Sequence, residues 1–418
     1  MSNGYRIVLV ILAIAVTASC GTQSTTPSPA VAPTGEPMPT AQIVRHPKPA
    51  NYRGFNVYNQ PPVYDPDSDE QWQVDLRSAD LTKLDLSRST ADLLYANFDS
   101  KTQWPPADKM PADFDWQQIM ETGKDPGLGV RALHELGITG ADVAIAIIDQ
   151  PLLVDHVEYK ARILMYEEIN VMPDEQASMH GAAVTSIAVG QTIGVAPGAY
   201  LYYIGSWTGD WDPETNEFTW NFTYYAQSVR RILEINKELA EDRKIRVIAM
   251  QVGWGPQQAG YDEITAAVNE AKEAGVLVVS SSLSETYGWN FHGLGRSPLS
   301  DPNDFWSYQP GSWWEDYFFQ KGLSSPTLMV PMDSRTTASP TGTEDFVFYR
   351  QGGWSWSIPY LAGMYALAVQ VKPEITPQEF WDTALDTGKT IQIAHKGKDY
   401  EFGAILDPQT LIEEIKSD

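Results

Sequence analysis

Three polar residues stand where an enzyme would put reactive groups. The first lies in GGWSWSIPYLAG, Gly352 to Gly363, where Ser355 sits between two tryptophans at the expected start of a helix. A serine at a helix N-terminus is surrounded by unpaired backbone N–H groups and the positive end of the helix dipole. That setting suits a nucleophile whose product is an oxyanion, and it equally suits a simple helix cap. Pro359 is expected in the first turn, where a missing N–H costs nothing. The second residue, Asp149, ends the apolar run VAIAIID at 143–149; an aspartate there can bind ribose, metal or substrate. The third, His180, opens MHGAAVTSIAVG, with a glycine and small residues behind it.

The elements that must position these groups follow an alternating pattern. GLGVRALHELGITG reads as a helix ended by glycine, and VAIAIID as a strand covered on both faces. A helix over about 180–189, the strand 201–205, a helix over 222–240, the strand 245–253, a helix over 260–274 and the strand 276–281 come next. After Ser355, the residues Ile358, Leu361, Ala362, Tyr365 and Leu367 give a buried helical run, with Gly363 allowing close packing. Strands alternating with helices predict an α/β fold with a doubly wound parallel sheet, whose sites lie at the carboxyl ends of strands.

The frames around the three residues resemble those of the subtilisin-like serine proteases, the subtilases. GITGADVAIAIIDQPLLVDHVEY is similar to the family's aspartate segment, and MHGAAVTSIAVGQTIGVAPGAYLYYI to its histidine segment, with the Gly-Val-Ala-Pro turn at 194–197. IRVIAMQVGWG resembles the strand that pairs with bound peptide. AGVLVVSSSLSE resembles the strand leading to the oxyanion residue, GGWSWSIPYLAG the serine segment and FGAILDPQTLIEE the closing helix. The resemblance spans about 125 to 418 and implies that fold. It also implies a triad in which Ser355 attacks an acyl carbonyl, His180 carries the proton and Asp149 holds the imidazole. His156, seven residues after Asp149, is implied to be structural, and His134 is expected at the surface.

The sequence departs from the family at several points. Gln150-Pro151 follows Asp149 where a small residue and glycine are usual, Ala-Ala follows His-Gly where Thr-His is usual, and Trp354 and Trp356 flank the serine. Leu283-Ser284 stands where the family supplies a glycine and the oxyanion asparagine. Ser284, Asn290 from the next loop, or the backbone N–H of Ser355 alone are the candidate oxyanion donors. Loss of one such donor typically costs about 10²–10³ in rate. Gly190-Gln191-Thr192-Ile193 offers too few ligands for the calcium that family members often carry there, so no metal and no cofactor is expected.

The rest of the 418 residues sets context. Asp plus Glu number 54 against 29 Lys plus Arg, and the net charge of −25 argues against nucleic acid and anionic headgroups as partners. Residues 1–19 read as a secretory signal, with Arg6 before IVLVILAIAV, a run too short to span a bilayer. TASCG then resembles a lipoprotein cleavage site, with Thr17 in place of the usual leucine. Cys20, the only cysteine, would become the lipidated first residue at the extracytoplasmic face of the cell membrane. Residues 20–50 read as a flexible tether. Residues 51–124 read as a docking or pro-segment, with a pentapeptide-like run over 74–100, and 125–418 as the catalytic domain with an aromatic-rich insertion at 284–325. The rings of that insertion are expected either to build a small core of their own or to form a lid, with His292 and Arg296 near its rim.

These observations predict a monomeric, membrane-anchored serine endopeptidase acting on peptide or protein. The alternative is a weakly active or non-catalytic peptide or wall-polymer binding protein on the same scaffold. A nucleotide-binding protein is excluded by the absence of a GxGxxG or P-loop after the first strand.

Overall fold

The apolar run before Asp149 forms the strand Ala144–Asp149, buried at all of its residues inside a six-stranded sheet. The computed structural model describes residues 41–417 apart from 69, 213 and 324; the proposed signal, Cys20 and most of the tether lie outside these. The sheet runs Gln42–Ile43, Ile163–Ile169, Tyr200–Ser206, Ala144–Asp149, Ile245–Met250, Leu277–Ser280, with every neighbouring pair parallel. Alternate side chains feed opposite cores. Ile145, Ile147, Val247 and Ala249 pack with the histidine helix Met179–Val189 and the serine helix Trp354–Val371. Ala146, Ile148, Ile248 and Met250 pack with the helices Thr223–Glu238 and Tyr261–Glu273.

The serine helix is buried from Trp356 to Val369. A Cβ on Gly363 would lie 2.6 Å from the Val195 Cβ, so only glycine lets the helix rest on the 194–197 turn. Pro359 is the sixth residue of the helix, not part of its first turn. It therefore removes the helix bond that would have reached the Ser355 carbonyl.

The insertion does not build a core of its own. Asn290–Arg296 is a strand, parallel to Thr327–Pro331 and antiparallel to Tyr308–Pro310, in a five-stranded sheet completed by Lys398–Ile405 and Lys389–His395. Trp289, Tyr308, Trp314 and Phe318 join the same core as the serine helix. The Trp314 indole donates to the Gly293 carbonyl at 2.6 Å, which binds the following helix to the strand. Arg296 is not at a rim: it is 1% exposed and donates to the carbonyls of Ser297, Ser300 and Ser334. Trp306, Trp313 and Tyr317 remain exposed.

Residues 41–50 are not tether. Gln42–Ile43 pairs with Ile163–Ile169, the Lys48 carbonyl accepts from Ala177 N at 2.9 Å, and Ala50 N donates to the Pro340 carbonyl at 2.9 Å. Arg45 anchors this stretch by donating to Glu168 at 2.8 Å and to the Glu175 carbonyl at 2.7 Å. Next comes a coil with a five-residue period. Asp75, Asp80 and Asp85 each accept from the N–H two residues on, while Leu76, Leu81 and Leu86 point inward and are fully buried. The aspartate closes each turn and the leucine supplies its core.

This coil ends in Phe98–Asp99, which pairs antiparallel with Phe346–Tyr349, the strand leading into the serine segment. Phe98 lies 5.2 Å from Phe348 between ring centroids, and both are buried. Replacing it, Phe98→Ala, is expected to cost about 3–5 kcal/mol, because a closed core cannot refill a benzyl cavity. Denaturant unfolding monitored by tryptophan fluorescence measures this loss.

Candidate active site

Asp149 is the last residue of its strand and 2% exposed. Its Oδ1 accepts from His180 Nδ1 at 2.7 Å and from Gln150 N at 2.7 Å. His180 is the second residue of its helix, and its N–H donates to the Oγ of the N-cap, Ser178, at 3.1 Å. Ser178 in turn donates its hydroxyl to Gln150 Oε1 and its N–H to the Pro151 carbonyl. The unusual Gln150-Pro151 pair thus clamps the histidine helix onto the end of the aspartate strand. The Tyr203 hydroxyl closes the clamp by donating to the Gln150 carbonyl. Gly181 completes the fit: a Cβ there would lie 2.6 Å from both that carbonyl and the Tyr203 hydroxyl.

Ser355 is the second residue of the serine helix, one place inside the N1 position, with Gly353 as the N-cap. Its N–H is among the first four that no helix carbonyl reaches. Its Oγ donates to the Gln251 carbonyl at 3.3 Å and not to His180. Catalytic hydrogen bonds commonly tighten only when substrate is bound. The next residue, Trp356, is 3% exposed and meets the His180 ring edge-on at 5.8 Å; its other neighbour is Tyr349 at 5.2 Å. The structure thus pairs the carboxylate with the imidazole and brings the serine helix against the imidazole through Trp356.

The other residues marked in the sequence have different surroundings. Ser284 is exposed on the short helix Leu283–Tyr287, without a side-chain hydrogen bond. Asn290 donates its amide to Ser325 Oγ at 3.1 Å, at the start of the inserted strand. His292 stacks on Trp314 at 4.2 Å and lies 6.0 Å from Trp354; burial lowers its pKa to about 4, so it is neutral at ordinary pH. His156 is fully buried and hydrogen-bonded to the Asp345 carbonyl at 2.8 Å. His134 is half-buried rather than on the surface, and donates to the Val195 carbonyl at 2.8 Å. Three residues at the site were not marked in the sequence: Ser178, Tyr203 and Gln251. Ser178 was legible as an N-cap two places before His180. Nothing local marks the other two.

Burial lowers the His180 pKa, but the Asp149 charge and its hydrogen bond outweigh this and hold it above the ordinary 6.5. A raised folded pKa stabilises the protein fully below about pH 6.5, and that contribution is lost as pH rises through the folded value. Asp149→Asn removes the charge, the larger raising cause, and leaves the burial. The imidazole is then expected to titrate below 6.5, read from the pH dependence of its NMR resonances.

Residues 140–314 match the family model described as the subtilase family. Subtilisin E of Bacillus subtilis (strain 168) is 26% identical over 261 residues, which cover 60% of this chain and 61% of subtilisin E. The match therefore spans under two thirds of that relative's length. The subtilisin-like protease PopC of Myxococcus xanthus (strain DK1622) is 33% identical over 85 residues, 18% of each chain. Among solved structures, a protease from Pseudoalteromonas arctica aligns with a TM-score of 0.48 at 17% identity, over 71% of this chain and 97% of that one. Over residues 140–314, with its parallel sheet and its aspartate and histidine segments in order, this chain is similar to the subtilases.

Proposed function

We propose that this protein is a serine endopeptidase that cleaves peptide or protein substrates through Asp149, His180 and Ser355. The observation that carries this reading is the bond at 2.7 Å between buried Asp149 and half-buried His180, with the neighbour of Ser355 packed on the same imidazole. In the reaction, rotation of Ser355 turns Oγ from Gln251 toward His180. Oγ then bonds to the substrate carbonyl carbon, the π pair moves to oxygen, and His180 Nε2 takes the hydroxyl proton. Collapse of the tetrahedral species breaks the C–N bond, and the same proton passes to the leaving amine. Water repeats the sequence on the acyl-enzyme and restores Ser355. Asp149 stabilises the imidazolium throughout and fixes Nδ1 as the donor.

A second reading has one observation in its favour: the Ser355 hydroxyl is held by Gln251 and its helix start is crowded by two tryptophans. That reading makes the chain a peptide or wall-polymer binding protein on a subtilase scaffold. A fluorophosphonate probe and a casein digest separate the two. The peptidase reading expects covalent labelling at Ser355, and a fall in turnover on the order of 10⁶-fold in Ser355→Ala. An unlabelled wild-type protein whose properties all survive in Ser355→Ala favours binding.

The same proposal places a monomer at the outer face of a cell membrane, held by acyl chains on Cys20. Its support is the sole cysteine, Cys20, with three residues between it and the end of a short apolar run. Among the described residues no helix is long and apolar enough to cross a membrane. Metabolic labelling with an alkynyl fatty acid is expected to mark the wild-type protein and not Cys20→Ser, which should move to the soluble fraction.

A further inference from the structure

The site has a nucleophile and a base but no evident side-chain donor for the oxyanion. Asn290 is engaged with Ser325, and the Ser284 hydroxyl is exposed to solvent, where its hydrogen bond to an anion competes with water. Among the described residues three polar groups near Ser355 are buried and unengaged: the Trp356 indole N–H, whose ring is packed between His180 and Tyr349, the Ser357 hydroxyl inside the serine helix, and the Gln251 carboxamide. Gln251 follows the strand Ile245–Met250 directly and is 7% exposed. Its carbonyl already accepts the Ser355 hydroxyl. Among the described residues neither its Nε2 nor its Oε1 has a hydrogen-bond partner.

The strand's alternation sets where this amide points. Val247 and Ala249 face the core of the serine and histidine helices, whereas Ile248, Met250 and Val252 face the opposite core. Gln251 falls on the face of Val247 and Ala249, toward the start of the serine helix. A buried amide left without partners is costly, and native proteins keep such a group where it has a task.

We infer that the Gln251 carboxamide is the side-chain oxyanion donor of this enzyme, acting with the Ser355 backbone N–H in place of the family's asparagine. The inference rests on the peptidase reading above. An Nε2–H held in a water-poor pocket donates to the substrate oxygen only once that oxygen is anionic and displaced toward it. Binding of the ground state is then little affected.

The test compares wild type with Gln251→Met, which keeps the side chain's length but has no N–H, and with Gln251→Glu, which presents only acceptors at neutral pH. Both are expected to lower kcat about 10²–10³-fold with KM nearly unchanged. Near-UV circular dichroism establishes that the variants are folded. Wild-type turnover by folded Gln251→Met overturns the inference alone; so does a rate loss confined to Ser284→Ala. Absence of cleavage and of fluorophosphonate labelling in the wild type overturns the peptidase reading, and this inference with it. A second measurement needs no variant. In uniformly ¹⁵N-labelled enzyme, a peptide boronate that forms a tetrahedral adduct on Ser355 should shift the Gln251 side-chain amide resonances, and unmoved resonances overturn the assignment.

Discussion

A carboxylate that is 2% exposed at the edge of an apolar core is tolerable only when donors surround it. Asp149 has two donors on one oxygen, the His180 imidazole and the Gln150 N–H, both at 2.7 Å. The parallel sheet brings the carboxylate to the end of its central strand. Ser178, Gln150, Pro151 and Tyr203 then hold the histidine helix at the one offset where its ring meets Asp149. Gly181 lets the histidine helix close on the Gln150 carbonyl and the Tyr203 hydroxyl, Gly363 lets the serine helix close on Val195 and the Ala188 carbonyl, and Trp356 meets the imidazole. If the Asp149–His180 bond is removed, this packing has no polar centre to organise.

The departures from the family pattern make sense in this frame. Gln150-Pro151 breaks the usual sequence after the aspartate yet supplies both acceptors for Ser178. Trp356 replaces a smaller side chain beside Ser355, and its indole fills the space between His180 and Tyr349. Ala182 and Ala183 are wholly buried where the histidine helix meets its neighbours. Each substitution changes the local chemistry while preserving the position of the ring.

Much of this was legible because it is local. The apolar run before Asp149 could only be a covered strand, and the glycine-bounded run after Ser355 could only be a buried helix. What escaped reading depends on partners distant in sequence. Asn290–Arg296 has no strong strand period, and its pairing with Thr327–Pro331 is a tertiary event. Arg296 looked like a surface cation, but beside the nearby carbonyls of Ser297 and Ser300 it reaches the Ser334 carbonyl, 38 residues on, which no local pattern shows. Residues 41–50 have a linker's composition, and only the open edge of Ile163–Ile169 turns their first residues into strand. Gln251 is an ordinary residue in a strand-like run; its unpartnered burial is visible only once the serine helix is in place.

The pairing of the N-terminal coil with the strand before Ser355 also governs timing. Trp72 binds Gln351 through its backbone N–H and its indole, across 279 residues of chain, and Phe98–Asp99 is completed by Val347 and Phe348. On a ribosome or in a translocation pore the first of these partners emerges long before the second. Contacts of such separation form late. The strand before Ser355 is therefore completed only near the end of synthesis, when the coil made first meets its partner.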